Sequence, residues 1–369
     1  MRTIANISRL IVGLVFVFSG FVKGVDPLGT AYRIEDYFIA YGMDWANPLA
    51  LFLSIFLCAL EFSLGVYLLL NIRLKLMSWP LLLLMIYFFI LTFFDALNNP
   101  VPDCGCFGDA IKLTNWETFY KNIVLIILVA IIFYYRKKFR PWLTASAGNL
   151  AVLIIFSGIV LFSVYQYRHL PLIDFLGWKT GTDLVPDNPG TAKVYLLYRN
   201  KATGEEKEYL SSNYPWNDTI WMKEWEFVNQ RVDESGVIKG HSLRIFDSEG
   251  NDLTEVYVNN PDYQFLLVSY DLSDGSRKGF EKLDQLYGEI AGIGYSFVVL
   301  TGSLDEEIAE YRKGLNDNLE FYHADDIELK MMVRANPGMI LLKDGIVLGK
   351  WHWRDAPDFG ELKERFPDL

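Results

Sequence analysis

Cysteine and histidine are scarce here: 369 residues hold three cysteines and four histidines. So few ligands exclude a disulfide-stapled scaffold and a metal site rich in such side chains. Basic charge is in deficit as well, with 34 Lys and Arg against 45 Asp and Glu and a formal net charge of −11. Nothing offers phosphates a basic stripe, so a nucleic-acid partner is not expected. Charged residues make up only 21% while 51% are hydrophobic, a balance that disorder does not produce. At this length two or more structural units are expected.

What is present is divided unevenly. Residues 1–165 carry 12 Lys and Arg against 9 Asp and Glu, a net of +3; the remaining residues carry 22 against 36, a net of −14. The first part also holds five long apolar runs, Ile4–Val22, Pro48–Leu70, Leu76–Leu97, Phe119–Tyr135 and Leu150–Tyr165. Roughly 20 apolar residues span about 30 Å of hydrocarbon as a helix, and these runs read as five membrane spans. Phe21-Val22-Lys23-Gly24 fits a signal-peptide cleavage site poorly, so the first run is read as a retained helix.

Orientation follows from Lys and Arg near the span ends. Arg2 and Arg9, Arg73 and Lys75, and the cluster Arg136, Lys137, Lys138 and Arg140 all fall on one side. The opposite loops, 23–47 and 98–118, hold Lys23, Arg33 and Lys112 among a larger number of acidic residues. The expectation is a multi-pass protein of the bacterial inner (cytoplasmic) membrane, in contact with the lipid bilayer. Its N-terminus is cytoplasmic and its C-terminal domain periplasmic. Tyr32, Tyr37, Tyr41, Trp45, Trp116 and Tyr120 read as an interfacial aromatic belt.

Beyond the fifth span the pattern changes to that of a water-soluble α/β domain. Lys193–Arg199 and Glu206–Ser211 read as a hairpin. Further strands are expected at Ser242–Phe246, Tyr263–Tyr270 and Ser296–Leu300, with helices at Arg277–Ala291 and Asp305–Gly314. Met339–Leu342 and Ile346–Trp351 form a second hairpin about Asp344-Gly345, and Asp358–Phe366 closes the chain as a helix. This order resembles the thioredoxin fold over roughly residues 241–369. Pro337 matches the cis-proline that precedes the hairpin in that family. The redox motif of the family is missing: where a Cys-X-X-Cys pair would stand, the sequence reads Tyr270-Asp271-Leu272-Ser273-Asp274-Gly275-Ser276. The outer domain is thus a degenerate, cysteine-free thioredoxin-like unit, suited to binding or docking.

The chemistry-bearing string is Pro102-Asp103-Cys104-Gly105-Cys106-Phe107-Gly108-Asp109, in the outer loop between spans three and four. Two thiols one residue apart close only a small ring, for which Gly105 supplies backbone freedom. Such a ring departs from relaxed disulfide geometry and is expected to be easily reduced. Asp103 and Asp109 are expected to raise the thiol pKa values. Three readings stay open: redox exchange or sensing by Cys104 and Cys106, a structural bridge, or half of a metal site lacking a third ligand.

Cys58 lies mid-span and reads as a packing residue. Glu61, one turn further on, is an ionisable group at membrane depth. It fits a proton relay, a quinone headgroup contact or an interhelical hydrogen bond. Asp95 is expected at the interface, and Trp351-His352-Trp353 as an edge-strand aromatic cluster. No histidine pair has metal-ligand spacing, and no metal is expected.

Three markers, Ser19-Gly20-Phe21-Val22-Lys23 with Asp26-Pro27, Glu61-Phe62-Ser63-Leu64-Gly65 and Cys104-Gly105-Cys106-Phe107-Gly108, resemble the DoxX/MauE group of redox-associated membrane proteins over about residues 1–140. The cysteine string points to the MauE branch. Membership implies a role in disulfide formation or redox maturation of periplasmic proteins, as for the methylamine dehydrogenase subunit served by MauE. DoxX relatives imply thiosulfate or quinone chemistry instead.

The expected organisation is a four-helix DoxX/MauE-like membrane domain at 1–140 and a fifth transmembrane helix at 141–169. A β-rich connecting region at 170–240 and the thioredoxin-like domain at 241–369 follow. The first functional expectation is thiol–disulfide exchange at Cys104 and Cys106 with a periplasmic thiol protein, with quinone as the coupled cofactor and Glu61 handling protons. The alternative is a non-enzymatic membrane scaffold whose outer domain docks a partner. A transporter is less attractive, because no paired, broken hydrophobic segments are present.

Overall fold

The computed structural model describes residues 2–101, 103–185, 193–211, 213, 215, 219–233 and 241–369. Pro102 of the cysteine string and residues 186–192 and 234–240 of the connecting region lie outside the described residues.

The membrane part contains α1 (Arg2–Val25), α2 (Pro27–Ala40), a 3-10 turn (Asp44–Leu49), α3 (Ala50–Leu69), α4 (Leu74–Asn98), α5 (Asn115–Tyr135) and α6 (Ala145–Arg168). Five helical segments, Thr3–Val25, Asp44–Leu69, Leu74–Asn98, Asn115–Tyr135 and Ala145–Arg168, are long and apolar enough to cross a membrane. Helices α3 and α4 are strongly apolar, as membrane spans require, and turn their acidic residues Glu61 and Asp95 into the protein. Their packing cannot rest on excluding water, so close approach of backbones and buried polar contacts matter more.

Glycine makes the central crossing. A Cβ on Gly20 of α1 would lie 2.3 Å from the Phe62 nitrogen of α3, and one on Gly65 would lie 2.6 Å from the Val17 nitrogen of α1. The two helices therefore touch backbone to backbone. Val12, Phe16, Leu64, Leu68, Met85 and Val129 then fill the core shared with α4 and α5.

Helix α2 is absent from the expected elements. Pro27 stands at its first turn, and Asp26 caps it by accepting from the Gly29 N–H at 2.9 Å. With 14 residues it is too short to span the bilayer, and it packs against α3 at the end of the bundle that carries the outer domain.

A three-stranded antiparallel sheet follows, built of β1 (Lys193–Asn200), β2 (Glu206–Leu210) and β3 (Trp225–Asp233) in the order β2-β1-β3, with α7 (Thr219–Glu224) before its last strand. The last part contains α8 (Thr254–Val258), β4 (Gln264–Ser269), α9 (Arg277–Gly292), β5 (Ser296–Thr301), α10 (Asp305–Tyr311), β6 (Glu320–His323), α11 (Asp326–Met332), β7 (Gly338–Lys343), β8 (Ile346–His352) and α12 (Phe359–Arg365). Its sheet runs β6-β5-β4-β7-β8, parallel through β6, β5 and β4 and antiparallel beyond. Strand β4 is buried along its whole length, which explains its unbroken apolar sequence. Two cores cover the faces, one around Phe265, Phe280 and Phe297, the other around Ile245, Leu266 and Leu300.

This is a soluble thioredoxin-like α/β domain, with two departures from the expected elements. Ser242–Phe246 forms no strand; Phe246 makes only isolated bridges to Asp252 and His323. The edge beside β5 is taken by β6 instead. Strand β6 and helix α11 had no counterpart in the sequence reading, because both are short and their apolar residues follow no long period. The Asn336–Pro337 peptide bond is cis. Trp178 and Leu184, in the segment after α6, pack into the Leu266 core of this domain rather than onto the three-stranded sheet.

Candidate functional site

The α1–α3 crossing brings three polar side chains together inside the bundle. Lys23, in the last turn of α1, lies 2.7 and 2.9 Å from the two carboxylate oxygens of Glu61 on α3. Both residues are buried, at 4% and 2% exposure. A charge in this setting is retained only when paired. Sequence reading placed Lys23 in an outer loop; the helix in fact continues to Val25 and carries it inward. Its i, i+4 spacing from Ser19 was the available signal, since both then share one face of α1.

Ser19 connects this ion pair to the cysteine string. Its Oγ lies 2.7 Å from Glu61 Oε2 and 2.7 Å from the Cys106 carbonyl oxygen. The single hydroxyl proton thus has two acceptors to choose between. Glu61 therefore sits beneath the Cys-Gly-Cys turn, with the Ser19 hydroxyl between its carboxylate and the Cys106 carbonyl. Cys58 is fully buried on the same helix.

The turn is shaped by glycine and aspartate. Gly105 has φ +62°, a conformation costly for any other residue, and its N–H donates to Asp103 Oδ1 at 2.9 Å. The Cys104 and Cys106 sulfurs are thereby brought to 2.7 Å as free thiols. A cavity of about 80 Å3 is walled by Cys104, Gly105, Cys106, Lys23, Tyr37 and Phe88, among others. That volume is below the ~300–1,000 Å3 of ordinary ligand pockets.

The expected effect of Asp103 and Asp109 on the thiols does not hold. Asp103 pairs with Arg33 at 2.9 Å and Asp109 with Arg334 at 2.6 Å, so each has its own counter-charge. The hydrogen bond from Cys104, assisted by Lys121 and Lys23, outweighs burial and draws the Cys106 thiol down to about 6. Cys104, as the donor beside a ready thiolate and with burial acting in the same sense, moves well above the usual thiol range. Cys106 is the sulfur prepared to carry negative charge, and Cys104 the one prepared to hold the proton.

The fold also places the other outer-end residues. Asp95, three residues before the end of α4, is fully buried within the protein and accepts from the Tyr37 hydroxyl at 2.7 Å. Tyr32 packs edge-on against Tyr270 at 6.0 Å between ring centres, and Arg334 lies over its ring. Tyr41, Trp45, Trp116 and Tyr120 remain exposed.

Arg334 was not singled out by any motif. It lies three residues before Pro337, is 3% exposed, and reaches Asp26 at 2.8 Å as well as Asp109. Burial works against its charge, but the two aspartates more than offset this and hold its pKa above the ordinary value. The cis-proline loop is itself anchored: Asn336 accepts from Ser269 Oγ and donates to the Asp271 carbonyl at 2.7 Å. The cysteine-free junction 270–276 and the Pro337 loop therefore belong to the face that meets the membrane part. His169, at the end of α6, adds a second tether through Asp355 at 2.8 Å.

Residues 1–135 match the family model described as methylamine utilisation protein MauE. The chain is 26% identical over 161 residues to Protein TlpB of Flavobacterium psychrophilum, covering 42% of this chain and 41% of that protein. The chain thus spans about two fifths of the length of the curated relative it matches. No solved structure matches. The similarity to MauE thus covers the first four spans of the multi-pass membrane part, which also contains α6 and carries an α/β domain.

Proposed function

We propose that this MauE-like membrane protein carries out thiol–disulfide exchange for periplasmic proteins, with Cys104 and Cys106 as the pair that cycles. The observation that carries the reading is the pair itself, two free thiols held 2.7 Å apart on the Gly105 turn, with Lys23 walling the same cavity. A family-level match to MauE supports a membrane redox role related to thiols and disulfides.

In the oxidised state a client thiolate attacks Cys104 Sγ. The Cys104–Cys106 bond breaks and Cys106 leaves as a thiolate, the better leaving group because its pKa is lower. The client's second thiolate then attacks its own sulfur in the mixed disulfide and releases Cys104. The client has lost two electrons and two protons, and the pair has gained the electrons. Reoxidation of the pair needs a two-electron acceptor; a membrane quinone would supply that chemistry by becoming the quinol, although the cavity of about 80 Å3 at the thiols would not admit its ring without movement. Glu61, joined to the turn through Ser19, is the group placed to pass protons.

The inner membrane is the proposed location. The cysteine turn, α2 and the outer domain share one end of the bundle through Arg334. Arg73, Lys75, Arg136 and Lys137 line a cavity of about 680 Å3 formed by the α3–α4 and α5–α6 connections, which the positive-inside rule assigns to the cytoplasm. The outer domain is then periplasmic.

A Cys106→Ser variant tests the reading in the reverse direction of the same exchange: the lone Cys104 thiolate attacks the disulfide of an oxidised client, one client sulfur leaves as a thiolate, and no Cys106 is left to resolve the adduct. Mixed-disulfide adducts in intact cells are expected. Absence of any adduct, with an unchanged cellular thiol balance, overturns it. The ion pairs of Arg334 favour a second reading, a scaffold whose outer domain docks a partner. That reading requires function to survive Cys104→Ala/Cys106→Ala and to be lost on deletion of residues 170–369.

A further inference from the structure

A cleft of about 550 Å3 runs between α2 of the membrane part and α11 of the outer domain. Its floor is the cysteine turn, where Gly105 and Gly108 present backbone without side chains. Its walls are mixed. Ile39 and Ile327 stand 59% and 65% exposed, with Met331 and Val101 also lining the space, whereas Glu35, Asp36, Asp326 and Lys330 bring charge. Thr30, Arg33 and Gly105 line both this cleft and the smaller cavity that holds the two thiols.

Arg33 forms the wall between the two spaces. Its stem lies across the turn, so close that a Cβ on Gly105 would meet Arg33 Cγ at 3.0 Å. Its guanidinium is held by Asp103 at 2.9 Å and Asp36 at 3.2 Å. Both pairs are partly exposed, so water screens them and they hold the side chain less firmly than a buried pair would. A side chain so held can swing aside without disturbing the fold.

We propose that this cleft receives a cysteine-bearing chain segment of the client protein, with apolar side chains beside the cysteine, and that Arg33 is the movable partition between that segment and the thiols. The inference rests on the exchange reading above and adds no step to it. A peptide satisfies both kinds of lining, apolar side chains against Ile39 and Ile327 and backbone polar groups toward the charged rim. A lipid acyl chain would have to displace water from those charged groups without replacing its hydrogen bonds. Continuity with the thiol cavity, through the three shared residues, selects a client carrying a thiol.

The test uses the full-length oxidised protein in nanodiscs and two probes, a synthetic apolar peptide with one cysteine, and mercaptoethanol. Formation of the mixed disulfide is followed for each. Ile39→Asp/Ile327→Asp places charge in the exposed apolar wall without touching a core. It is expected to lower the ratio of peptide rate to mercaptoethanol rate by about tenfold, the effect of roughly 1.4 kcal/mol. Arg33→Ala/Asp103→Asn removes the partition without leaving an unpaired carboxylate beside the thiols, and is expected to raise the rates of both probes, whereas Arg33→Lys keeps the barrier in part. An unchanged ratio in the isoleucine variant, or slower reaction in Arg33→Ala/Asp103→Asn, overturns the proposal.

Binding is measured separately with the same peptide carrying a benzophenone in place of its cysteine. Cross-links on α2 and α11 support the cleft even if neither thiol probe reacts, in which case only the exchange reading fails. Cross-links confined to other surfaces overturn it. So does a phospholipid found in the wild-type protein and lost from the isoleucine variant with no change in peptide cross-linking.

Discussion

Arg334 Nη2 lies 2.6 Å from Asp109 Oδ2, only three residues past Cys106, so the outer domain grips the cysteine turn by its far end. The same guanidinium holds Asp26, the cap of α2, through Nε at 2.8 Å. One buried cation thus joins the outer domain to two elements that frame the thiols. A loop presenting two reactive sulfurs needs such fixing, since Gly105 and Gly108 both leave its backbone free to move.

Arg334→Met leaves two carboxylates facing one another across the interface without their cation. Breaking a buried pair by removing one partner costs about 3–5 kcal/mol. The expected result is loosened docking, read as faster hydrogen exchange in 103–110 and in α11 with the β4 core unchanged. Asp26→Asn/Asp109→Asn in the Arg334→Met background should recover part of the loss. Equal protection in wild type and Arg334→Met would show that the domains are held elsewhere.

The Cys106 thiol gives a pH signature. Its folded pKa of about 6 lies below the ~8.5 of a free thiol, so ionisation favours the folded reduced protein. That contribution is complete above about pH 8.5 and is lost as pH falls through about 6. Alkylation of the reduced protein by iodoacetamide should therefore rise with a midpoint near pH 6. Cys104→Ala, which removes the donated hydrogen bond, should move the midpoint upward, and Lys121→Gln should move it upward by less. A midpoint at the free-thiol value in wild type contradicts the assignment.

The Lys23–Glu61 pair is open to a double-mutant cycle. Lys23→Met strands the Glu61 charge and Glu61→Gln strands that of Lys23, each at a cost of about 3–5 kcal/mol. The double variant Lys23→Met/Glu61→Gln removes both charges and should regain most of the lost thermal stability in detergent. If the double variant is as unstable as the sum of the singles, the pair contributes nothing beyond its separate members.

The sequence showed where the helices run because five apolar runs and their basic flanks are signals carried by single segments. Cys104, Cys106, Glu61 and Pro337 could likewise be picked out, each being unusual in its local setting. Their relations could not. The partners Ser19–Cys106 and Asp109–Arg334 are 87 and 225 residues apart, and no period or spacing links them. Lys23 was misplaced because a loop boundary was drawn one turn too early. Asp103 and Asp109 misled for a related reason, since the charge felt by a thiol depends on counter-ions that only the fold supplies. Helix α2 escaped because it is neither long enough to span nor polar enough to read as an ordinary surface helix.

The α1–α3 crossing offers the most direct link from one atom to the chemistry. Gly20 has no room for a methyl: its Cβ would sit 2.3 Å from the Phe62 nitrogen, 2.7 Å from the Phe62 Cα and 2.8 Å from the Cys58 carbonyl oxygen. All three are backbone atoms, so no side chain can rotate away and the helices themselves must separate. Gly20→Ala is expected to destabilise the bundle by about 1–3 kcal/mol, as overpacking does. Phe62 follows Glu61 directly and Gly20 follows Ser19, so the same displacement pulls Ser19 and Lys23 from the carboxylate. The variant should therefore slow exchange at Cys104 and Cys106, measured with mercaptoethanol, although it touches neither cysteine. Gly42→Ala, at a position with nothing within 4 Å of the added carbon but a φ of +66°, is the matched control. It carries the cost of a left-handed alanine without the steric clash, and should lose a comparable amount of stability while leaving the exchange rate in place. If both variants slow exchange alike, general destabilisation rather than the crossing explains the effect.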